Sequence, residues 1–181
     1  MRQCISCSIG WCRNETFQTP SQYQLGLIYQ TRRQYTEAIR RFQNAVGIDP
    51  SETDAHFQLG RIARDQGRFK DALAAFQAVL NLDEKHRQNE VLRELGAVYL
   101  AAGQDEDARG FLAEYAAIRP YDPEGLYYYG QALERTGHPA EARRQYEQAT
   151  ESVRSAPRYR RGELAKWSRQ SQKRLRTLHD G

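Results

Sequence analysis

Three cysteines near the amino terminus are the residues whose spacing most directly suggests chemistry. Cys4 and Cys7 form a Cys-x-x-Cys pair, Cys12 follows, and the rest of the 181-residue chain contains no cysteine. This spacing suits zinc, but a structural zinc site needs four ligands, and the nearest histidine is His56. An odd number of cysteines does not form a complete disulfide framework either. We therefore predict no metal site and no cofactor, and we expect residues 1–16 to be a flexible, cysteine-containing segment.

The other reactive side chains do not form the pattern of a catalytic site. The four histidines, His56, His86, His138 and His179, are scattered along the chain. No nucleophile has a base at a recognisable spacing, and no glycine-rich phosphate loop is present. Catalysis needs clustered partners, so we predict that the protein is not an enzyme and has no catalytic residues.

The glycines mark an internal repeat instead. Gly26, Gly60, Gly96 and Gly130 are spaced by 34, 36 and 34 residues. The same spacings separate an alanine set and a mostly aromatic set, namely Ala38, Ala72, Ala108 and Ala142, and Phe42, Phe76, Leu112 and Tyr146. A period in this range predicts a stack of supersecondary units.

Each unit carries signals for two helices joined by a turn. Gly67, Gly103 and Gly137 stand where the first helix of a unit would end in a left-handed residue. Residues 19–22 (Thr-Pro-Ser-Gln) are predicted to be a capping box for the first helix, and Asp122 with Pro123 a cap in the fourth unit.

The repeat requires small residues at two positions for a geometric reason. Gly26, Ala38 and their equivalents are expected where the two helices of a unit cross, because the axes must approach within about 8–10 Å. Phe42 and its equivalents are expected to fill the layer between one unit and the next.

The pattern resembles the tetratricopeptide repeat family, whose helical hairpin reads Leu-Gly-x-x-Tyr, then Ala-x-x-x-Phe, then Pro. The first copy matches through Leu25, Gly26, Tyr29, Ala38, Phe42 and Pro50. Four copies fall within residues 17–156, at about 19–52, 53–86, 89–122 and 123–156, with two additional residues near 86–88. The resemblance implies an all-α fold, a right-handed α-solenoid of four helix-turn-helix repeats.

The last part of the chain, from Ser155 to Gly181, departs from the repeat and carries a net charge of +6, against +4 for the whole chain. One helical stripe is mostly apolar and consists of Leu164, Trp167, Ser171, Leu175 and Leu178. The opposite face carries Arg158, Lys166, Arg169, Lys173 and Arg176. We therefore predict that residues 157–181 form a basic amphipathic helix that caps the array.

The resemblance also implies where a partner would bind. In tetratricopeptide arrays the first helices of the units line a concave groove that holds a partner peptide or helix. Carried over by repeat alignment, the groove residues are Tyr23, Leu27, Phe57, Arg61, Arg64, Arg93, Tyr127 and Gln131. Aromatic residues and Arg are enriched at interaction hot spots, and the three arginines are expected to converge and to receive a carboxylate through paired donors.

One alternative to this groove stays open, namely a solvated lining in which some aromatic side chains serve only for packing. The carboxylate clamp of chaperone-binding members is not expected, because Tyr23 and Leu27 replace its Lys and Asn in the first repeat.

The first functional hypothesis is therefore a non-enzymatic protein-interaction scaffold with a protein or peptide partner. The alternative is that the basic tail associates with an anionic membrane surface or, as a disfavoured option, with nucleic acid. Residues 156–161 with Trp167 also resemble the tails of some bacterial tetratricopeptide proteins that carry an N-terminal membrane segment.

No apolar run is long enough to span a bilayer, and residues 1–12 lack the apolar core of a secretory signal. We therefore expect a cytoplasmic location, or membrane association if an upstream segment is missing.

Overall fold

The computed structural model describes residues 21–82 and 90–178. Within these ranges the chain forms nine α-helices and no strand: α1 Gln22–Thr31, α2 Tyr35–Ile48, α3 Thr53–Asp65, α4 Phe69–Leu82, α5 Glu90–Ala101, α6 Asp105–Ile118, α7 Pro123–Arg135, α8 Pro139–Ser155 and α9 Arg158–Thr177. The first eight pair as four consecutive hairpins, each packed against the next, and α9 packs on the last. This confirms the predicted helical solenoid with a terminal helix.

Some predictions lie outside the described residues. They concern the segment with Cys4, Cys7 and Cys12, the two additional residues near 86–88, and His86 and His179.

The repeated glycines let a large side chain of the second helix lie directly on the first helix of the same hairpin. A Cβ atom on Gly60 would lie 2.6 Å from the ring of Phe76, and one on Gly130 would lie 2.6 Å from the ring of Tyr146. Each of these side chains therefore closes the helix crossing inside its own hairpin. Three of them also lie in buried clusters that include residues of the next hairpin, so they contribute to the layer between units as expected.

The predicted left-handed turns are confirmed in three hairpins. Gly67, Gly103 and Gly137 have φ angles of 72°, 75° and 83°. In the first hairpin Arg33 takes the same conformation, with φ 59°, although it carries a side chain. A residue with a Cβ is disfavoured in this region, so the first turn is the least favourable of the four.

The starts of α1 and α7 are capped by side chains. At α7 the Asp122 carboxylate accepts a hydrogen bond from the Gly125 amide at 3.1 Å, as predicted. At α1 the capping box consists of Ser21 and Gln24, two residues later than predicted, because the helix begins at Gln22.

Helix α9 continues the array as one more helix, packed against α8 and α7. Trp167 and Ser171, from the predicted apolar stripe, are buried, and Leu164 and Leu175 are half-buried. The Trp167 ring lies 5.5 Å from that of Tyr127 and 5.4 Å from that of Tyr128, measured between centroids. Apart from Leu164, the residues of this stripe therefore pack against the rest of the protein.

A bilayer-spanning segment would require a longer and more apolar helix than any found in residues 21–82 or 90–178.

Candidate protein-interaction surface

The first helices of the hairpins form the inner side of the array. Helix α5 packs against both α3 and α7, and α7 packs against α9, whereas the second helices of successive hairpins share no such interface in the described part of the chain. Adjacent helices lie closest on the inner side of a curved stack, so α1, α3, α5 and α7 carry its concave surface. All eight predicted groove residues lie on these four helices.

The aromatic groove residues pack on the aromatic residues of their own hairpins. Phe57 is 1% exposed, and its ring lies 5.8 Å from that of Phe76. The half-buried Tyr23 and Tyr127 repeat this arrangement, with ring centroids 5.8 Å from Phe42 and 5.9 Å from Tyr146. Tyr127 is also covered by Trp167. The structure therefore places Phe57 in the core rather than on an open groove, and gives Tyr127 a packing role.

Arg64 and Arg93 bind carboxylates of this chain. Both form ion pairs with Glu94, which is 2% exposed; the pair with Arg93 measures 3.3 Å. Arg93 also pairs with Asp122 at 3.2 Å and with Glu124 at 3.6 Å. These two predicted arginines do converge, but on an internal carboxylate that a partner's carboxylate would have to displace.

The electrostatics of this cluster follow from its burial. Desolvation alone would lower the pKa of Arg93, but the carboxylates of Glu124 and Glu94 outweigh it and raise that pKa. Burial raises the pKa of Glu124, although Arg93 opposes the shift. Burial, assisted by Glu124, also raises the pKa of the neighbouring Tyr128 to about 12. The cluster holds its arginines charged and Tyr128 neutral at physiological pH.

Similar polar bridges join the other inner helices, and sequence reasoning missed them. The Gln30 amide donates to the Gln58 side chain at 3.2 Å, joining α1 to α3. Arg174 of α9 donates two hydrogen bonds to Glu134 of α7, at 2.7 and 3.0 Å. The sequence signal for these bridges is a pair of complementary side chains 28 to 40 residues apart, such as Arg64 and Glu94, which periodicity alone does not single out.

Three of the predicted groove residues stay within reach of a partner, and with Ala97 they occupy equivalent positions in the four repeats. We call this set of four the inner row: Leu27, Arg61, Ala97 and Gln131, one residue from each inner helix. Leu27, Arg61 and Gln131 are half-exposed, and the small Ala97 is buried between them. Gln131 donates to the Tyr127 hydroxyl at 3.0 Å. The Arg61 Nε is buried and has no hydrogen-bond partner in the described part of the protein.

The basic face of α9 is a second accessible surface. Its predicted members are all exposed: Arg158, Lys166, Arg169, Lys173 and Arg176. Lys166 lies over the Trp167 ring at 4.3 Å, and Arg169 donates to the Ala165 carbonyl at 3.4 Å. None of the five forms an ion pair within residues 21–82 and 90–178.

The described histidines have local partners. The His56 Nε2 lies 3.2 Å from the Pro50 carbonyl oxygen, and the His138 ring lies 3.3 Å from both Arg109 and the Thr136 hydroxyl. No group of three potential metal ligands occurs in the part of the chain that the structure describes.

Three family models, each described as a tetratricopeptide repeat, match residues 23–89, 63–125 and 123–153. Together they span the four hairpins. No curated protein sequence matches the chain.

Several solved structures share the fold. MamA from Desulfovibrio magneticus RS-1, from its residue 41 to the end, is 19% identical, with a TM-score of 0.66 over 89% of this chain and 95% of that one. SycD, described as a type III secretion translocator chaperone of Yersinia enterocolitica, is 24% identical, with a TM-score of 0.61 over 70% of this chain and 91% of that one. A chain of a type III secretion complex from Aeromonas hydrophila is 22% identical, with a TM-score of 0.62 over 71% and 81%. At these sequence identities, the similarity shows a shared fold and nothing further.

Proposed function

Because the chain belongs to the tetratricopeptide repeat family, we propose that it is a non-enzymatic scaffold whose inner row binds an extended or helical segment of a partner protein. A protein-interaction role is what the repeat architecture supports. One protein of similar fold is described as a type III secretion translocator chaperone.

The state of Arg61 is the observation that carries this proposal. Its half-exposed side chain forms no ion pair and no hydrogen bond with the described residues, whereas Arg64 and Arg93 have carboxylate partners. The terminal guanidinium nitrogens of Arg61 can therefore donate to a carboxylate or backbone carbonyl of a partner, and a hydrogen bond from a charged group contributes about 1.5–3 kcal/mol. Leu27 and Gln131 on either side offer an apolar contact and an amide.

Affinity capture followed by quantitative mass spectrometry tests the inner row. We expect Arg61→Glu to lose the partner that the wild-type protein captures, because the substitution opposes an acceptor with a negative charge. Arg144→Glu is the matched control, since it makes the same charge change at an exposed position on α8. Circular dichroism checks that both variants retain their helicity.

The proposal fails if Arg61→Glu captures the same partner at the same yield as the control. Tyr127 is not a suitable test residue, because its contacts with Trp167 and Tyr146 make a loss of capture ambiguous.

A second candidate function is attachment to an anionic membrane surface through the basic face of α9. Five exposed cations without internal ion pairs favour it, while the buried Trp167 means that binding would be electrostatic rather than by insertion. Co-sedimentation with phosphatidylserine vesicles should fall when Lys173 and Arg176 are both changed to Glu and when salt is raised, and Arg144→Glu should have less effect. Absence of binding at low salt rejects this candidate, and preferential binding of duplex DNA would redirect it to nucleic acid.

A further inference from the structure

A cavity of about 600 Å³ lies where the third and fourth hairpins meet α9, and no residue of the inner row lines it. Its walls are the start of α5, the end of α6 with the turn to α7, the last turn of α8 and the first two turns of α9. We call it the α8–α9 cavity. A volume of this size is within the range of binding sites for small ligands, about 300–1,000 Å³.

The additional length of α8 creates this cavity. Helix α8 has 17 residues, whereas α2, α4 and α6 each have 14. The three additional residues lengthen the helix by about 4.5 Å, which makes its last turn a wall above the α6–α7 turn. Pro157 then redirects the chain into α9. The cavity is therefore specific to the end of this array.

The cavity has an apolar wall that is open to solvent. It consists of Ile118, Pro120, Tyr121 and Leu164. Tyr121 is 78% exposed and Ile118 is 47% exposed. Large apolar side chains exposed beside a concave site are typical of surfaces that bury a partner's side chain.

The uncompensated charge of the cavity is positive. Arg119 and Arg160 line it, are exposed, and form no ion pair within the described part of the protein. Of the two carboxylates in the lining, Asp122 is bound by Arg93 and by the Tyr115 hydroxyl at 2.6 Å, and Glu90 also interacts within the protein. An anionic partner would meet two unpaired guanidinium groups there.

We propose that the α8–α9 cavity binds an acidic peptide segment that carries one bulky apolar side chain. The apolar side chain inserts between Tyr121, Ile118 and Leu164, and flanking carboxylates of the peptide pair with Arg119 and Arg160. This surface is separate from the inner row, so the array would engage a second peptide, or a second part of the same partner.

Selection of peptides from an unbiased 12-residue display library against the wild-type protein tests this. We expect selected peptides to combine acidic residues with one aromatic or large aliphatic residue. Their affinity should fall at least about tenfold in Tyr121→Ala and in Arg160→Glu. Matched controls are Tyr159→Ala, an 84% exposed tyrosine outside the lining, and Arg144→Glu.

Three outcomes overturn the proposal. The first is a selection that yields no acidic, apolar peptides. The second is an equal loss of affinity in the cavity variants and their controls. The third is loss of binding in Arg61→Glu with no change in Tyr121→Ala, which would place the peptides on the inner row and leave the scaffold function intact. All the substituted positions except Arg61 are exposed, and circular dichroism confirms that each variant is folded.

Discussion

Arg64 of α3 and Glu94 of α5 form an ion pair across the junction between the second and third hairpins, with Glu94 almost completely buried. Arg93 approaches the same carboxylate from the other side and carries the contact on to α7 through Asp122 and Glu124. Arg64 and Arg93, which repeat alignment assigns to partner recognition, therefore join α3, α5 and α7 through carboxylates of the protein itself.

Glu94→Ala should lower the free energy of unfolding by about 3 kcal/mol, because it leaves two partly buried guanidinium groups without their shared carboxylate. Urea denaturation followed by circular dichroism measures the change. Glu151→Ala removes the exposed pair with Arg154 and should cost about 0.5 kcal/mol or less. Equal effects of the two substitutions would contradict a stabilising role for the buried pair.

Trp167→Ala should destabilise the fold by about 3–5 kcal/mol, since it removes a buried ring that contacts Tyr127 and Tyr128. The melting temperature should fall accordingly. Tyr159→Ala on the same helix is the control, because that ring is exposed and its removal should change stability by about 0.5 kcal/mol or less. If both variants melt at the same temperature, α9 does not stabilise the array by packing.

Gly60→Ala should destabilise the protein by about 1–3 kcal/mol, because the new methyl group would overlap the buried ring of Phe76. The same change at Gly110, where a Cβ atom meets nothing within 4 Å, should stabilise α6 by about 0.5–1 kcal/mol. Chemical denaturation of the two variants tests the opposite signs. A stabilising effect of Gly60→Ala would contradict this prediction, because it would show that the helix crossing can accommodate a methyl group.

The free energy of unfolding of Glu124→Gln should increase relative to that of the wild type as the pH rises from 4 to 7. Burial raises the pKa of Glu124 in the folded state, so the folded protein holds that proton more tightly than the unfolded chain does. Stability is therefore lost as the pH rises through the unfolded value toward the folded one, and glutamine does not suffer this loss. Urea midpoints measured across this range test the trend, and a variant that loses stability relative to the wild type as the pH rises contradicts it.

The fold could be predicted from the sequence because the repeat encodes it locally. Gly60 and Phe76 fix the crossing of one hairpin, and Gly67 fixes its turn, so the three spacings between four copies were enough to place eight helices. The capping box at Ser21 was misplaced by two residues, since Thr19 and Ser21 both have the side chain that a cap needs.

The candidate surface could be predicted only in part. Repeat alignment gives the helix face on which a residue lies, but not whether a neighbouring hairpin covers it. Phe57 is buried in the core of its own hairpin, and Arg64 pairs with the carboxylate of Glu94, which is 30 residues away on a different helix. The sequence did contain a signal for the α8–α9 cavity. Pro50 and Pro120 follow the second helices of the first and third copies, and a further repeat of 34 residues would place the corresponding proline at residue 154. Pro157 comes three residues later, as expected for a longer α8.

The bridges between inner helices also determine how the array responds to bending. The first bridge, between Gln30 and Gln58, joins two neutral amides, whereas those formed by Glu94, Asp122 and Glu134 involve charged groups. A neutral hydrogen bond contributes about 0.5–1.5 kcal/mol and one to a charged group about 1.5–3. Among these described bridges, the one between the first two hairpins is the weakest, so we expect a partner that changes the curvature of the array to separate the inner helices first at that junction.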